Sequence, residues 1–386
     1  MEYYKVFTMV DLTVEIAGLK FRNPVLPAAG PPVRDGVRIK KCIEGGAGGI
    51  VTKTISIKAA DPLIPRPHMA EVRGGFLNTE LWSELPPEVW AEKELKIARE
   101  ATRAAGIPLI VSLGYRADEI SKLVEMFDEY ADAYELSVHY IGRDPTPMME
   151  AVKAAKKTGK PVFLKLSPHP GIDHVEWAKK AIEAGADGIS AINSFGPVLA
   201  LDLSTPLPDY MLKGLPVMGG PDGTGWLSGS ALKYLALKIV FDLYKAMPNV
   251  PILGVGGIST GRDAMEMIMV GANAVQVCTA AILYGLNIFS KIVKQLKALM
   301  EKMGFDSVKE LRGYTHKIWK KRYIRYVSTP PKYYPEKCTG CKLCEISCPY
   351  DAIVVVNGKA VFYKDKCFGC GVCVTRCRFG ALEMEW

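Results

Sequence analysis

Eight of the ten cysteines fall within the last 49 residues, in two near-copies of one pattern. The first run is Cys338-x-x-Cys341-x-x-Cys344-x-x-x-Cys348-Pro349 and the second is Cys367-x-x-Cys370-x-x-Cys373-x-x-x-Cys377-Arg378. Four thiolates in eleven residues, twice over, is the ligand spacing of paired 4Fe–4S clusters, in which the fourth cysteine of each run serves the other cluster. On that rule Cys338, Cys341, Cys344 and Cys377 hold one cluster, and Cys367, Cys370, Cys373 and Cys348 hold the other. Zinc sites favour C-x-x-C pairs set well apart. Disulfides need an oxidising compartment, and the charged residues 1–5 lead into no signal-peptide core. Clusters of this kind pass single electrons, so the remainder of the chain is expected to be wired to a one-electron carrier. Cys42 and Cys278 stand alone and read as buried, small apolar residues.

The chain has 386 residues, 49% of them hydrophobic, enough for one large domain with a core of its own plus a small one. No apolar run is long enough to span a bilayer. The cysteine usage fits a reducing compartment, so a cytoplasmic location is expected. The net charge is +8, and much of it lies in residues 309–326, KELRGYTHKIWKKRYIRY. This stretch reads as an amphipathic helix and linker whose aromatics pack on the larger domain. An anionic partner, such as an acidic electron carrier, is the alternative. Neither nucleic acid nor a membrane is expected as a partner.

Residues 1–315 alternate short apolar runs with amphipathic stretches. The strand-like runs begin at Val25, Gly49, Pro108, Ala133, Pro161, Gly188, Pro251 and Ala274. Helix candidates follow several of them, at residues 88–105, 117–130, 174–184 and 230–246. Such alternation predicts a parallel sheet covered by helices, an α/β fold. Eight repeats in about 300 residues match a (β/α)8 TIM barrel better than an open sheet. Residues 12–23 alternate around Ala17-Gly18 and read as a hairpin capping the barrel floor. Residues 316–335 read as a basic, aromatic linker, and residues 336–386 as a bacterial-type ferredoxin domain for two 4Fe–4S clusters.

The unusual residues sit at the strand ends. Lys53 ends the second strand, Ser137 and His139 the fourth, Lys165 the fifth and Asn193 the sixth. Gly256-Gly257 ends the seventh, and Cys278-Thr279 the eighth. A barrel gathers such ends at one mouth. The loops after strands seven and eight commonly bind a phosphate in this fold, and glycine backbone approaches an anion closely. A barrel joined to clusters needs a group that converts two-electron into one-electron chemistry, and FMN does this. A buried lysine at a strand end, Lys53 or Lys165, would stabilise negative charge on the reduced flavin.

These motifs resemble the dihydroorotate dehydrogenases and, more closely, the flavin and iron–sulfur part of dihydropyrimidine dehydrogenase. The resemblance runs from about Leu12 to the C-terminus. It rests on AGLKFRNP at 17–24, TKT at 52–54, FLNTELWSE at 76–84, FLKLSP at 163–168 and INS at 192–194. LSGSAL at 227–232, PILGVGGI at 251–258 and GANAVQVCTA at 271–280 complete it. The resemblance implies that Ala28, Ala29, Lys53, Thr54, Lys165, Gly229, Gly256, Gly257, Cys278 and Thr279 line FMN. It implies that Asn78, Glu80, Asn193 and Ser194 face the substrate, with Asn78 and Asn193 also near the flavin. Amides and a carboxylate suit the N–H and C=O edges of a pyrimidine or similar cyclic amide. A homo-oligomer is a further family-based expectation.

The resemblance breaks after the fourth strand. The family carries a proton-transferring cysteine in a segment reading roughly ELNLSCPH. Here residues 135–142 read ELSVHYIG, so that Ser137 stands for the family's asparagine and Tyr140 for its cysteine. His139 or Tyr140 could replace the cysteine as general acid, the substrate could need no acid there, or the flavin could relay electrons only. The reading is an FMN- and iron–sulfur-dependent oxidoreductase acting on a C–C bond of a small cyclic amide. Its alternative is an electron-transfer subunit of a larger complex with a degenerate substrate site. No G-x-G-x-x-G unit in βαβ context is present, so electrons are expected from ferredoxin or from an NAD(P)- or FAD-binding partner subunit.

Overall fold

A computed structural model describes residues 10–61, 63–138, 143–203, 214–321 and 328–384. The chain divides into two compact units, Met1–His316 and Lys317–Trp386.

The larger unit is built on eight parallel strands: β1 (Val25–Pro27), β2 (Ile50–Val51), β3 (Leu109–Leu113), β4 (Ala133–Leu136), β5 (Val162–Leu166), β6 (Gly188–Ala191), β7 (Ile252–Val255) and β8 (Ala274–Val277). All eight runs picked out from the sequence form these strands. Their order around the sheet is β1-β8-β7-β6-β5-β4-β3-β2, with parallel pairing throughout. The ring closes where the Gly48 N–H donates to the Val25 carbonyl at 2.8 Å. The strands are buried on both faces, as a sheet wrapped by helices requires. Helices of the outer ring include Gly36–Glu44, Leu95–Ala105, Ala117–Phe127, Thr146–Lys156, His174–Glu183, Lys233–Ala246, Gly261–Met269 and Ile288–Met303.

The expected hairpin forms from Val14–Ile16 and Leu19–Phe21, paired antiparallel. Its two turn residues, Ala17 and Gly18, both take positive φ (49° and 78°), which a two-residue turn matching the strand twist requires. Ile16 and Phe21 pack against Leu26, Val51, Ile110, Ala133, Phe163, Leu253 and Ala274, one residue from each barrel strand except β6. On β6 the corresponding place is Gly188, where a Cβ would fall 2.7 Å from the Phe163 ring. The floor is thus an apolar plug that keeps water out of the N-terminal end.

The opposite end carries a second sheet that the sequence reading did not foresee. Its strands are Phe195–Leu199, Thr224–Ser228, Gly75–Asn78 and Met69–Val72, in that order and antiparallel. They come from the long segments that follow β2 and β6, so they stand over the mouth. In the stretch read as amphipathic helix and linker, Tyr314–Trp319 is helical. His316 stacks on Phe241 at 4.1 Å, and Tyr314 meets Phe305 edge-on at 4.9 Å, so these aromatics pack on the barrel.

The smaller unit pairs Lys332–Tyr333, inside the stretch read as linker, with Leu382–Glu383. A hairpin of Ile353–Val356 and Lys359–Phe362 and two short helices, Leu343–Ile346 and Val372–Arg376, complete it. Among the described residues its buried apolar side chains are Ala352, Ile353, Ala360, Ala381 and Leu382. Among the described residues no helix is long and apolar enough to cross a membrane.

Phe21 is fully buried in the floor plug. We expect Phe21→Ala to destabilise the barrel by about 3–5 kcal/mol, read as a lower urea midpoint for its near-ultraviolet circular dichroism transition. An unchanged midpoint would show that the hairpin is dispensable.

Candidate functional site

The strand ends and the mouth sheet enclose one cavity of about 650 Å³. Ala28, Ala29, Lys53, Thr54, Ser137, Lys165, Asn193 and Ser194 line it from β1, β2, β4, β5 and β6 and the turns after them. Asn78 and Glu80 reach it from the mouth sheet, and Gly229, Gly256, Gly257, Cys278 and Thr279 close its far side. Every described residue singled out from the sequence for flavin or substrate therefore faces the same space. His139 and Tyr140 lie outside the described residues.

Two lysines enter the cavity with different partners. The Lys53 ammonium donates to Glu80 Oε1 at 3.2 Å and to Glu84 Oε1 at 2.7 Å. Its side chain is 3% exposed, whereas Glu84 is 41% exposed. Burial holds the Glu80 carboxyl above the usual range, and Lys53 counteracts this only in part. Lys165 donates to Glu135 Oε1 at 3.3 Å and to Gln276 Oε1 at 3.4 Å. The other oxygen of Glu135 accepts from Ser190 Oγ at 2.7 Å and Gln276 Nε2 at 2.6 Å.

Asn78 Nδ2 donates to the Trp226 carbonyl at 3.3 Å, which braces it across the mouth sheet. Asn193 Nδ2 reaches Ser137 Oγ at 3.5 Å, and Asn193 Oδ1 accepts from the Ser194 N–H at 2.8 Å. Trp82 packs on Tyr115 with ring centroids 5.1 Å apart, and Trp82 and Trp226 line the cavity.

The glycine-rich side is shaped for an anion. Gly256 and Gly257 have φ of +124° and +72°. A Cβ on Gly257 would lie 2.5–2.8 Å from atoms of Lys233, so only glycine lets the end of β7 press against the start of Lys233–Ala246. Lys233 in turn pairs with Asp263 at 2.5 Å and Glu266 at 2.6 Å, tying that start to the helix after β7. Backbone N–H groups at such a junction, beside a fourteen-residue helix N-terminus, suit a phosphate. Ser228 and Thr279 hydroxyls share a 2.8 Å hydrogen bond beside it. Burial pushes the Cys278 thiol up to about 12, and that of Cys42, buried behind β1, likewise to about 12. Cys42 is buried as its sequence context suggests, whereas Cys278 is part-exposed and lines the cavity.

Sequence reading missed Glu84, Glu135, Ser190 and Gln276. The last three carried a signal: each is a polar residue inside an apolar strand run, and a polar group buried there demands a partner.

The smaller unit holds two cavities. One is lined by Cys338, Cys341, Cys344 and Cys377, the other by Cys348, Cys367, Cys370 and Cys373. Each thus draws its fourth cysteine from the other run. The Ala352 N–H lies 3.3 Å from Cys348 Sγ, and the Ala381 N–H 3.3 Å from Cys377 Sγ. Tetrads of thiolates with backbone donors suit 4Fe–4S clusters.

The family profile described as "Dihydroorotate dehydrogenase" matches residues 11–300, and one described as "4Fe-4S dicluster domain" matches residues 333–381. The chain is 35% identical over 317 residues to the dihydroorotate dehydrogenase B (NAD(+)) catalytic subunit of Methanothermobacter thermautotrophicus, covering 79% of this chain and 98% of that one. The protein of the same name from Pyrococcus furiosus is 33% identical, over 80% of this chain and all of its own length. That from Methanosarcina mazei is 36% identical, over 80% and 96%. About four-fifths of this chain accounts for nearly the whole of each relative.

Removing Cys377 should empty the cavity it shares with the first run, not the one formed by its own neighbours. We expect Cys377→Ala to lower bound iron from about eight to about four atoms per chain, with loss of the same cluster signal as in Cys341→Ala by electron paramagnetic resonance. Signals matching Cys370→Ala instead would reject the crossed arrangement.

Proposed function

The chain belongs to the dihydroorotate dehydrogenase family, and from that premise we propose that it reduces or oxidises a C–C bond of a small, uncharged cyclic amide of the pyrimidine class. It is a flavin-dependent oxidoreductase acting on CH–CH groups, with FMN and two 4Fe–4S clusters as cofactors. Bound FMN supplies a centre that exchanges two electrons with a substrate and single electrons with clusters.

In this reading the backbone N–H groups of Gly229, Gly256, Gly257, Cys278 and Thr279 hold the phosphate. Ala28, Ala29 and Thr54 line the ring, and Lys165 and Lys53 supply positive charge to it. Asn78, Glu80, Asn193, Ser194 and Ser137 orient the substrate, pairing with its N–H and C=O edges. The mouth sheet keeps bulk water from the reacting carbons. The observation that carries the reading is the convergence of all these groups on a single cavity of about 650 Å³, within the size range of small-molecule sites.

Charge points to an uncharged substrate. Lys53, the ammonium at the substrate end among the described residues, is already shared by two carboxylates, Glu80 and Glu84. A substrate with its own carboxylate, such as the dihydroorotate of the relatives' name, would add a third negative charge there. On sequence, the proton for the ring carbon comes from His139 or Tyr140. The relatives are named as NAD(+)-linked catalytic subunits, and we infer that this chain too exchanges electrons with a protein partner, a ferredoxin or an NAD(P)- or FAD-binding subunit, through its clusters.

Anaerobically photoreduced protein tests this. We expect uracil to reoxidise the flavin faster than orotate, and Asn78→Ala to slow that step by about tenfold to a hundredfold. Faster reoxidation by orotate would overturn the charge argument. No reoxidation by any pyrimidine, together with a partner that co-purifies, would favour a purely electron-transferring subunit, the reading that the missing cysteine at Tyr140 motivates. His139→Ala or Tyr140→Phe should lower turnover on the true substrate; wild-type rates in both would remove them from the reaction.

A further inference from the structure

Neither packing nor substrate binding explains the Lys165–Glu135 pair inside the barrel. Glu135 is fully buried, and Lys165 is 7% exposed. An ion pair withdrawn from water to this extent is costly, and apolar residues of similar volume are often as stable in its place. A buried ammonium needs one counter-charge, which an anionic ligand would itself supply. Yet three strands supply donors to that carboxylate: Lys165 from β5, Ser190 from β6 and Gln276 from β8. Gln276 also accepts from Lys165, so Lys165, Glu135 and Gln276 close a ring of hydrogen bonds to which Ser190 is joined through Glu135.

Lys165 and Gln276 line the cavity, whereas Glu135 and Ser190 do not. The ring therefore has a face that meets a ligand and a back that does not. A fixed negative charge behind an ammonium lowers the positive potential which that ammonium presents in front. It also fixes where the ammonium stands, because a lysine head group otherwise swings on a flexible stem.

We propose that Glu135 is a positioning residue that sets the reduction potential of the bound flavin through Lys165. The proposal rests on the reading that FMN occupies the cavity with its ring against Lys165. A lone lysine would favour the negatively charged reduced flavin strongly and hold electrons there. The Glu135 partner tempers this and keeps the flavin low enough in potential to exchange electrons with 4Fe–4S clusters. Second-sphere charge and hydrogen bonding are known levers on redox centres.

The test is a spectroscopic redox titration of the full FMN-loaded chain. Glu135→Gln should raise the flavin midpoint by at least a tenfold change in the two-electron equilibrium, about 30 mV. Ser190→Ala keeps the charge but strips one donor from the carboxylate, leaving its field less neutralised. It should shift the midpoint the opposite way by a smaller amount, and it decides the question if Glu135→Gln does not retain FMN. Lys165→Met should lower the midpoint. Unchanged midpoints in Glu135→Gln and Ser190→Ala, with normal FMN content and a shifted Lys165→Met, overturn this proposal alone. A wild-type chain without FMN, or an unshifted Lys165→Met, overturns the reading of the cavity and this proposal with it.

Discussion

Keeping two ammonium groups out of water is the constraint around which the mouth of this barrel is arranged. Neither Lys53 nor Lys165 can be satisfied by its own strand. Lys53 needs Glu80 and Glu84 from the segment that follows it, and that segment is held by the mouth sheet. Lys165 needs Glu135 and Gln276 from two other strands, and Glu135 in turn takes a donor from Ser190 on a third. A slip of one residue in any of these strands would turn its polar side chain out of the barrel. The charges therefore fix the register, and the register fixes the cavity.

The two ends of the barrel divide the work. The floor is apolar and sealed by Ile16 and Phe21, and the larger apolar core lies between the strands and the outer helices. The mouth gathers the polar groups, the aromatic faces and the glycines that bring backbone close to a ligand. Such a division lets residues at one end be chosen for chemistry while the other keeps the strands together.

Much of this was legible in the sequence, for reasons that can be stated residue by residue. The eight strands declared themselves as short apolar runs between helical stretches, and the cysteine tetrads as a fixed local spacing. The hairpin showed in Ala17-Gly18, where two residues must turn the chain. What escaped was non-local. The mouth sheet pairs Asn78 with Trp226, 148 residues away; its strand Phe195–Leu199 carries Gly196 and Pro197, which argue against a strand, and Thr224–Ser228 is mixed in polarity. Glu135 and Gln276 are 141 residues apart and could be matched only once the barrel order was known. Lys165 could be picked out from its strand end, but its true counter-ion could not.

The small apolar core of the second unit has a consequence in time. Ala352, Ile353, Ala360, Ala381 and Leu382 bury too little surface to order the segment by themselves, and the side chains packed against them are largely cysteines. Its folding energy must come from iron and sulfide. The barrel lies first in the chain and holds a complete core of its own, so it can be finished while the cysteine tail is still being made. Maturation then runs in two stages, a barrel that assembles from the polypeptide alone and a tail that waits for metal. The molecule can pass an electron through its tail only once the clusters are in place.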